Sequence, residues 1–471
     1  MNKIRNSIRE AILLSGLKSG MTVSFHHHLR NGDYVLNMVM DEIAKLGIRD
    51  LTVNASSLFD THAPLKEHIQ NGVVTTILTD YMSAGLGSFI SAGGMENPVQ
   101  FRTHGGRPAD IENGRTPIDV AFIAAPAADP MGNCTGKFGK SACGSLGYAI
   151  PDAKNAKFVV AITDELHPYP LCDWSIPETD VDAVVVVDSI GDPKGIVSGT
   201  TKITRDPVGL LMAQTAVDVI KASGLLKEGF SFQTGAGGAS LAAAKYLKDV
   251  MLKEKIRGSF GLGGITGYLV DMLNEGCFDA LMDVQCFDLK AVESIRNNPK
   301  HCEISATHYA SPFAKSAVVD SLDVVILGAT QLDTDFNVNV HTDSNGSIMG
   351  GSGGHSDTAA GAKLSMIIAP LSRARLPIVT DRVTCISTPG STIDVLVTQK
   401  GVAVNPRQTE LRQRLIDAKI NVIDIHDLKA MAEKTSGVPE KPAIGERIVA
   451  DVIYRDGHVI DHIREVADDR Y

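Results

Sequence analysis

The sequence has little of what usually gives a protein's role away. Among 471 residues there are one tryptophan and seven cysteines, and the cysteines form no C-x-x-C pair. That pattern argues against a disulfide framework or a thiolate zinc cage and suits reduced thiols. No apolar stretch approaches the ~20 residues of a membrane span. The short AILL run near the start is too brief for a signal peptide and directly follows Glu10, so it predicts an amphipathic helix in a cytosolic protein. No tract of five or more Lys/Arg occurs and the formal charge is −10, which leaves no footprint for nucleic acid. An anionic ligand would need a local positive pocket. Neither a P-loop nor H-E-x-x-H is present.

What is there is an ordinary globular composition, 44% apolar and 21% charged, on a chain long enough for two or three domains. It is also written twice. Gly16-Leu-Lys-Ser-Gly-Met-Thr-Val-Ser-Phe25 recurs as Gly224-Leu-Leu-Lys-Glu-Gly-Phe-Ser-Phe232. About thirty residues later, Gly47-Ile-Arg-Asp-Leu-Thr-Val53 is echoed by Lys255-Ile-Arg-Gly-Ser-Phe260. Equal offsets favour tandem like domains, 1–225 and 226–471.

Apolar runs at 21–25, 51–53, 73–78, 120–125, 158–163 and 183–187 read as buried strands of the first half. Those at 278–284, 324–328, 365–369 and 422–425 read so in the second. Helical stretches such as 35–46 (with Asp33 placed to cap it), 208–222 and 410–418 separate them, which predicts α/β architecture with mainly parallel sheets covered by helices. The alternating tail, 449–454 and 459–463, predicts a hairpin closing the second domain.

In such sheets ligands bind at loops beyond the carboxyl ends of strands. His26-His-His28 and Arg30 occupy one of these loops. Consecutive residues on a strand point to opposite faces, so three adjacent histidines are poor candidates for one metal ion, and no metal is expected. With Arg30 they offer nitrogen donors suited to carboxylates; packed or capping histidines are the competing reading. The equivalent loop of the second copy, Gln233-Thr-Gly-Ala-Gly-Gly-Ala-Ser240, lets backbone amides approach a ligand. Gly261-Leu-Gly-Gly-Ile-Thr-Gly267 has the glycines of a dinucleotide fingerprint without the acidic residue about twenty positions on; it also suits a wall for a thioester arm. Gly350-Gly-Ser-Gly-Gly-His-Ser-Asp357 is a third glycine-rich loop, and Arg102-Thr-His-Gly-Gly-Arg107 adds two arginines beside glycines.

These stretches, with Ala125-Pro-Ala-Ala-Asp-Pro-Met-Gly-Asn133, Asn298-Pro-Lys-His-Cys-Glu-Ile-Ser-Ala-Thr-His308 and Thr388-Pro-Gly-Ser-Thr-Ile-Asp-Val-Leu-Val-Thr398, resemble in shared order the coenzyme A transferase superfamily, most closely its citrate lyase alpha-chain family. The resemblance covers nearly the whole chain and implies an active site in the cleft between the two domains. It implies exchange of acetyl for citryl on an acyl carrier protein thiol, with coenzyme A thioesters as surrogates and no covalently held cofactor. It further implies carrier (gamma) and lyase (beta) subunits as partners and a homo-oligomer within that complex.

Many superfamily members carry a nucleophilic glutamate on a strand of the second domain; here Ser259 or a neighbour stands there, which points to a ternary complex and a mixed anhydride. The resemblance places Gly263, Gly264 and Ser259 at the reacting centre. It places His26, His28, Arg30, Arg102 and His308 on citrate, and Gly235, Gly237, Gly261, Gly350, Gly351, Ser352, Gly353 and Gly354 along the carrier arm. The citramalate version of the reaction, a covalent short-acid transferase and a ligand-sensing module are the alternatives.

Overall fold

The computed structural model describes residues 3–197 and 202–466. The apolar runs form two mainly parallel sheets. The first has the strand order 4–5, 183–186, 158–163, 120–124, 22–25, 51–55, 74–79, 99–101, 444–453, 459–466. The second has the order 301–303, 278–286, 258–265, 231–234, 324–327, 364–368, 395–397, 402–404. Counted outward from 22–25 and from 231–234, eight strand positions match in the two sheets, seven of them also in chain order, and the repeated phrases fall on matched strands.

Helices cover both faces, so strands such as Val120–Ala124 and Leu364–Ile368 are buried at every residue. Each large apolar side chain hidden there contributes about 1.5–3 kcal/mol. Both sheets reverse strand order at the matched strands 22–25 and 231–234, the place where carboxyl-end loops diverge and open a crevice.

Local chemistry fixes the element ends. Helix Pro207–Ser223 starts at Asp206, whose carboxylate accepts from the amides of Val208 and Gly209, has proline in its first turn, and stops at Gly224 in the left-handed region. It lies N-terminal to residue 225 yet packs on helix Gly238–Glu254 beside the second sheet. Helix Val35–Lys45 is capped as expected by Asp33, which accepts from Val35 and Leu36 and also holds His62.

Two expectations need correction. The run 422–425 is not a strand of the sheet. Val422 makes only a bridge to Val402, and Asp424 caps helix Ile425–Ser436 by accepting from His426; the cap outweighs the β-branched character of the run. The C-terminal hairpin forms, as Ile444–Ile453 and Val459–Val466, but it extends the first sheet, pairing parallel to Val99–Phe101. Among the described residues no helix is long and apolar enough to cross a membrane.

Candidate active site

The carboxyl-end loops of the two sheets meet face to face. Loop 136–148 of the first half reaches under the second sheet: Ser145 Oγ donates to the Asp283 carbonyl (2.9 Å), and Leu146 N–H donates to Glu303 (2.6 Å). A Cβ on Gly147 would lie 2.4 Å from the Ile304 oxygen, so only glycine allows this approach. From the second half, the 350–354 loop runs beside the first sheet. Gly353 N–H donates to the Asp80 carbonyl (3.1 Å) and His104 N–H to the Gly353 carbonyl (2.9 Å). The glycine-rich loop is thus an ordered joint.

Strand Thr22–Phe25 ends before the histidines, so they do not alternate between faces. All three are buried. His26 Nε2 accepts from Ala124 N–H (2.9 Å) and its Nδ1 faces His28 Nδ1, while His28 Nε2 receives Tyr148 N–H (3.3 Å). His27 bonds Ser56 Oγ (2.7 Å) and stacks on Tyr148. Burial keeps the rings neutral: it takes His26 down to about 4 and holds His27 and His28 well below the usual histidine range. His26 and His28, expected on substrate, instead build the floor of the joint.

Arg30 stands at the joint itself. Its backbone is in the left-handed region (φ 53°), a cost of about 1–2 kcal/mol for a non-glycine residue that is typical of functional positions. Its guanidinium lies 5.2 Å from the centre of the Phe59 ring and 4.9 Å from that of Phe287, one ring from each half. Burial pulls its pKa down, and among the described residues it has no carboxylate partner. A cation held this way is an open socket for a carboxylate.

In the second half, the hydroxyl of Tyr309 accepts from Gln233 Nε2 (3.0 Å), and Gln233 Oε1 is buried without a hydrogen-bond partner among the described residues. A Cβ on Gly354 would come within 2.5 Å of that hydroxyl, and one on Gly263 within 2.6 Å of the Gln233 amide. Gly263 lies in the left-handed region (φ 105°) beside a break in strand register at Gly263/Gly264. Gly263 and Gly354 thus stand beside Gln233 and Tyr309, with Gly264 and Gly353 next to them in the chain. Position 264 is confined by Phe287, whose ring atoms lie 2.1 Å from a built Cβ. Gly264→Ala is expected to push Phe287 off Arg30 and to raise KM for the acid by about tenfold, as initial-rate kinetics at fixed thioester would read; an unchanged KM would separate the two groups.

Other expected residues lie elsewhere. Arg102 is committed to Asp110 and to Gln100 Oε1 (2.8 Å), so the helix that follows it supplies its counter-ion. His308 is exposed on helix Ala306–Ala310, where its neighbour Tyr309 turns inward. Ser259 sits at the amino end of its strand, with Oγ donating to the Gly229 carbonyl (2.8 Å), away from the carboxyl-end loops. A Cβ on Gly261 would press on Leu281 (2.8 Å) inside the sheet.

Gly350, Gly351 and Ser352 serve the joint itself. The amides of Gly350 and Ser352 are given to His341, and a Cβ on Gly351 would strike the Asp80 carbonyl (2.2 Å). A Cβ on Gly235 or Gly237, at the start of helix Gly238–Glu254, would make only an ordinary contact, 3.7 Å to the Ile326 oxygen and 3.9 Å to Ser240 Oγ. The residues that sequence reasoning did not single out are Asp80, His104, Tyr148, Gln233 and Tyr309; they come from five separate segments, and only His104 and Gln233 lay inside stretches with a visible pattern.

The halves are also tied by Asp357, which accepts from Thr103 Oγ1 and Gly105 N–H (both 2.9 Å) and lies 3.5 Å from Arg455 Nε of the hairpin. Burial raises its pKa from 3.8 to about 6. The folded state holds this proton more tightly than the unfolded chain, so the contribution declines as pH rises from about 4 through about 6, by about 3 kcal/mol. Denaturant melts at a series of pH values should show that slope in the wild type and a flatter one in Asp357→Asn; parallel slopes would remove Asp357 as the source.

Two matched parallel sheets joined at their carboxyl-end loops, with a free cation and glycine walls between them, define a coenzyme A transferase-like fold. The family model for citrate lyase, alpha subunit, matches residues 1–466. The citrate lyase alpha chain of Klebsiella pneumoniae is 51% identical over 464 residues, covering 98% of this chain and 91% of that one. An alpha subunit of citrate lyase from Streptococcus mutans, solved in complex with citrate, superposes with a TM-score of 0.97 at 50% identity, over 99% of this chain and 92% of that one. The malonate decarboxylase alpha subunit of Acinetobacter baumannii, at 16% identity and a TM-score of 0.66 over 93% of each chain, shares the fold alone. The chain belongs to the citrate lyase alpha-subunit family.

Proposed function

We propose that this protein is the transferase of a citrate lyase complex, exchanging acetyl for citryl on an acyl carrier protein thiol, with coenzyme A thioesters as surrogates. The observation that carries the reading is Arg30, a half-buried guanidinium between Phe59 and Phe287 without a carboxylate partner among the described residues. A carboxylate of citrate seated there attacks the acetyl thioester to give a mixed anhydride and a thiolate. The thiolate then attacks the citryl carbonyl and acetate leaves. The substrates supply both nucleophiles, and the protein supplies orientation and charge neutralisation.

Among the described residues around the joint, none offers an unengaged glutamate as a nucleophile. The carboxyl end of strand Gly258–Ile265 carries Gly263 and Gly264. Asp80, Asp283, Glu303 and Asp357 each already accept hydrogen bonds from neighbouring groups. On this reading the thioester arm lies along Gly235 and Gly237 and passes Gln233 toward Gly263. Carrier and lyase subunits are the partners this reading calls for.

Purified protein mixed with acetyl-coenzyme A and citrate should release acetate and form citryl-coenzyme A in equal amounts, with intersecting double-reciprocal plots. Parallel plots, or a borohydride-sensitive acyl adduct on the protein, would replace the ternary complex with a covalent route.

A further inference from the structure

His104 and Asp80 form a dyad that the direct exchange described above leaves unused. His104 Nδ1 lies 2.8 Å from Asp80 Oδ2, and Asp80 is wholly buried, its Oδ1 without a hydrogen-bond partner among the described residues. The imidazole is fixed in place by neighbouring rings, with centroids 5.6 Å from His27 and 4.4 Å from Tyr148. Its backbone is fixed too, through the paired bonds with Gly353. Nε2 makes no hydrogen bond among the described residues. It points at Gly353, where a Cβ would lie only 3.2 Å away, so the missing side chain is what uncovers it. The next residue, Gly354, leads to Tyr309, Gln233 and Gly263, the side on which the transferase reading seats the thioester.

Charge decides what such a group can do here. During exchange the cleft holds the carboxylates of citrate and a departing thiolate. Of the arginines around it, Arg102, Arg107 and Arg455 are paired with Asp110, Asp152 and Asp357, which leaves Arg30 for the acid. An alkyl thiol has a pKa near 8.5, so a bare thiolate in a water-poor cleft beside a polyanion is costly.

Building on the transferase reading, we propose that His104, positioned by Asp80, is the acid–base group that serves the thiol. As the citrate oxygen bonds to the acetyl carbonyl carbon and the C–S bond breaks, the sulfur takes the electron pair together with the proton from Nε2, giving thiol and mixed anhydride. When the sulfur attacks the citryl carbonyl, Nε2 takes the proton back. The new C–S bond forms, the anhydride C–O bond breaks, and acetate leaves with that electron pair. Asp80 acts only through His104.

The test varies the leaving group. Wild type, His104→Gln and Asp80→Asn are assayed for citrate-dependent acetate release from acetyl-coenzyme A and from S-(4-nitrophenyl) thioacetate, whose thiolate leaves without a proton. General acid–base groups contribute about 10²–10⁴-fold. His104→Gln should therefore lose at least 100-fold with the alkyl thioester and less than about tenfold with the aryl one, and Asp80→Asn should show the same asymmetry at smaller size. Equal losses on both esters, or no loss, overturn the assignment while leaving the transferase reading intact. Wild-type inactivity with citrate on both esters overturns the transferase reading, and the assignment with it. If His104→Gln melts well below the wild type, Asp80→Asn in the same two assays decides.

Discussion

Replacing Arg30 by alanine is expected to lower kcat/KM for citrate by roughly 30- to 1,000-fold, with KM for the acetyl thioester changed less than about threefold. The size follows from removing one member of a half-buried, charge-assisted contact, which costs about 2–4 kcal/mol. The selectivity follows from place: Arg30 lies between Phe59 and Phe287, whereas the proposed path of the arm runs along Gly235 and Gly237. Lysine should rescue poorly, because a planar guanidinium stacks between two rings and binds a carboxylate through two parallel bonds, and an ammonium does neither. Steady-state kinetics with each substrate varied would show it. Equal losses for acid and thioester would make Arg30 a structural residue of the joint.

The second large effect concerns stability. Arg107 is almost wholly buried and donates two hydrogen bonds to Asp152, at 2.7 Å each, with Nε on Asn54 Oδ1 (2.9 Å). Arg107→Met leaves the Asp152 carboxylate buried and unpaired, and a loss of about 3–5 kcal/mol is expected. Arg107→Met combined with Asp152→Leu should recover most of it, since two apolar side chains leave no charge to desolvate. Denaturant midpoints of the wild type, the two single variants and the double variant form the required cycle. A double variant as unstable as the sum of the singles would mean that shape, not charge, governs the site.

The frame of this fold was legible because parallel strands buried on both faces must be apolar along their whole length, as at Val120–Ala124 and Phe158–Thr163. The repeat was legible because matched strands begin from matched turns. What failed needed knowledge of the third dimension. Arg102 looked free because its partner Asp110 lies on the following helix and turns back on it. His308 and Tyr309 differ by one step on a short helix, and a single step reverses inside and outside. Ser259 was placed by likeness of position, although strand polarity puts it at the amino end, away from the crevice. The histidines were divided between two faces on the premise of a strand that ends at Phe25. Asp80 carried no local pattern, and Gln233 was overshadowed by the glycines that follow it, because the place of each depends on segments contributed by both halves.

The C-terminal hairpin gives the molecule a temporal problem. Strand Val99–Phe101 borders on Ile444–Ile453, roughly 340 residues further along the chain. At the ribosome, with about 5–20 residues added per second, its outer edge waits some tens of seconds for that neighbour. An unpaired strand edge is a template for wrong partners. Nascent chains of this protein are therefore most exposed to misassembly after the first sheet has collapsed and before the last thirty residues emerge, a window in which a chaperone covering that edge would matter most.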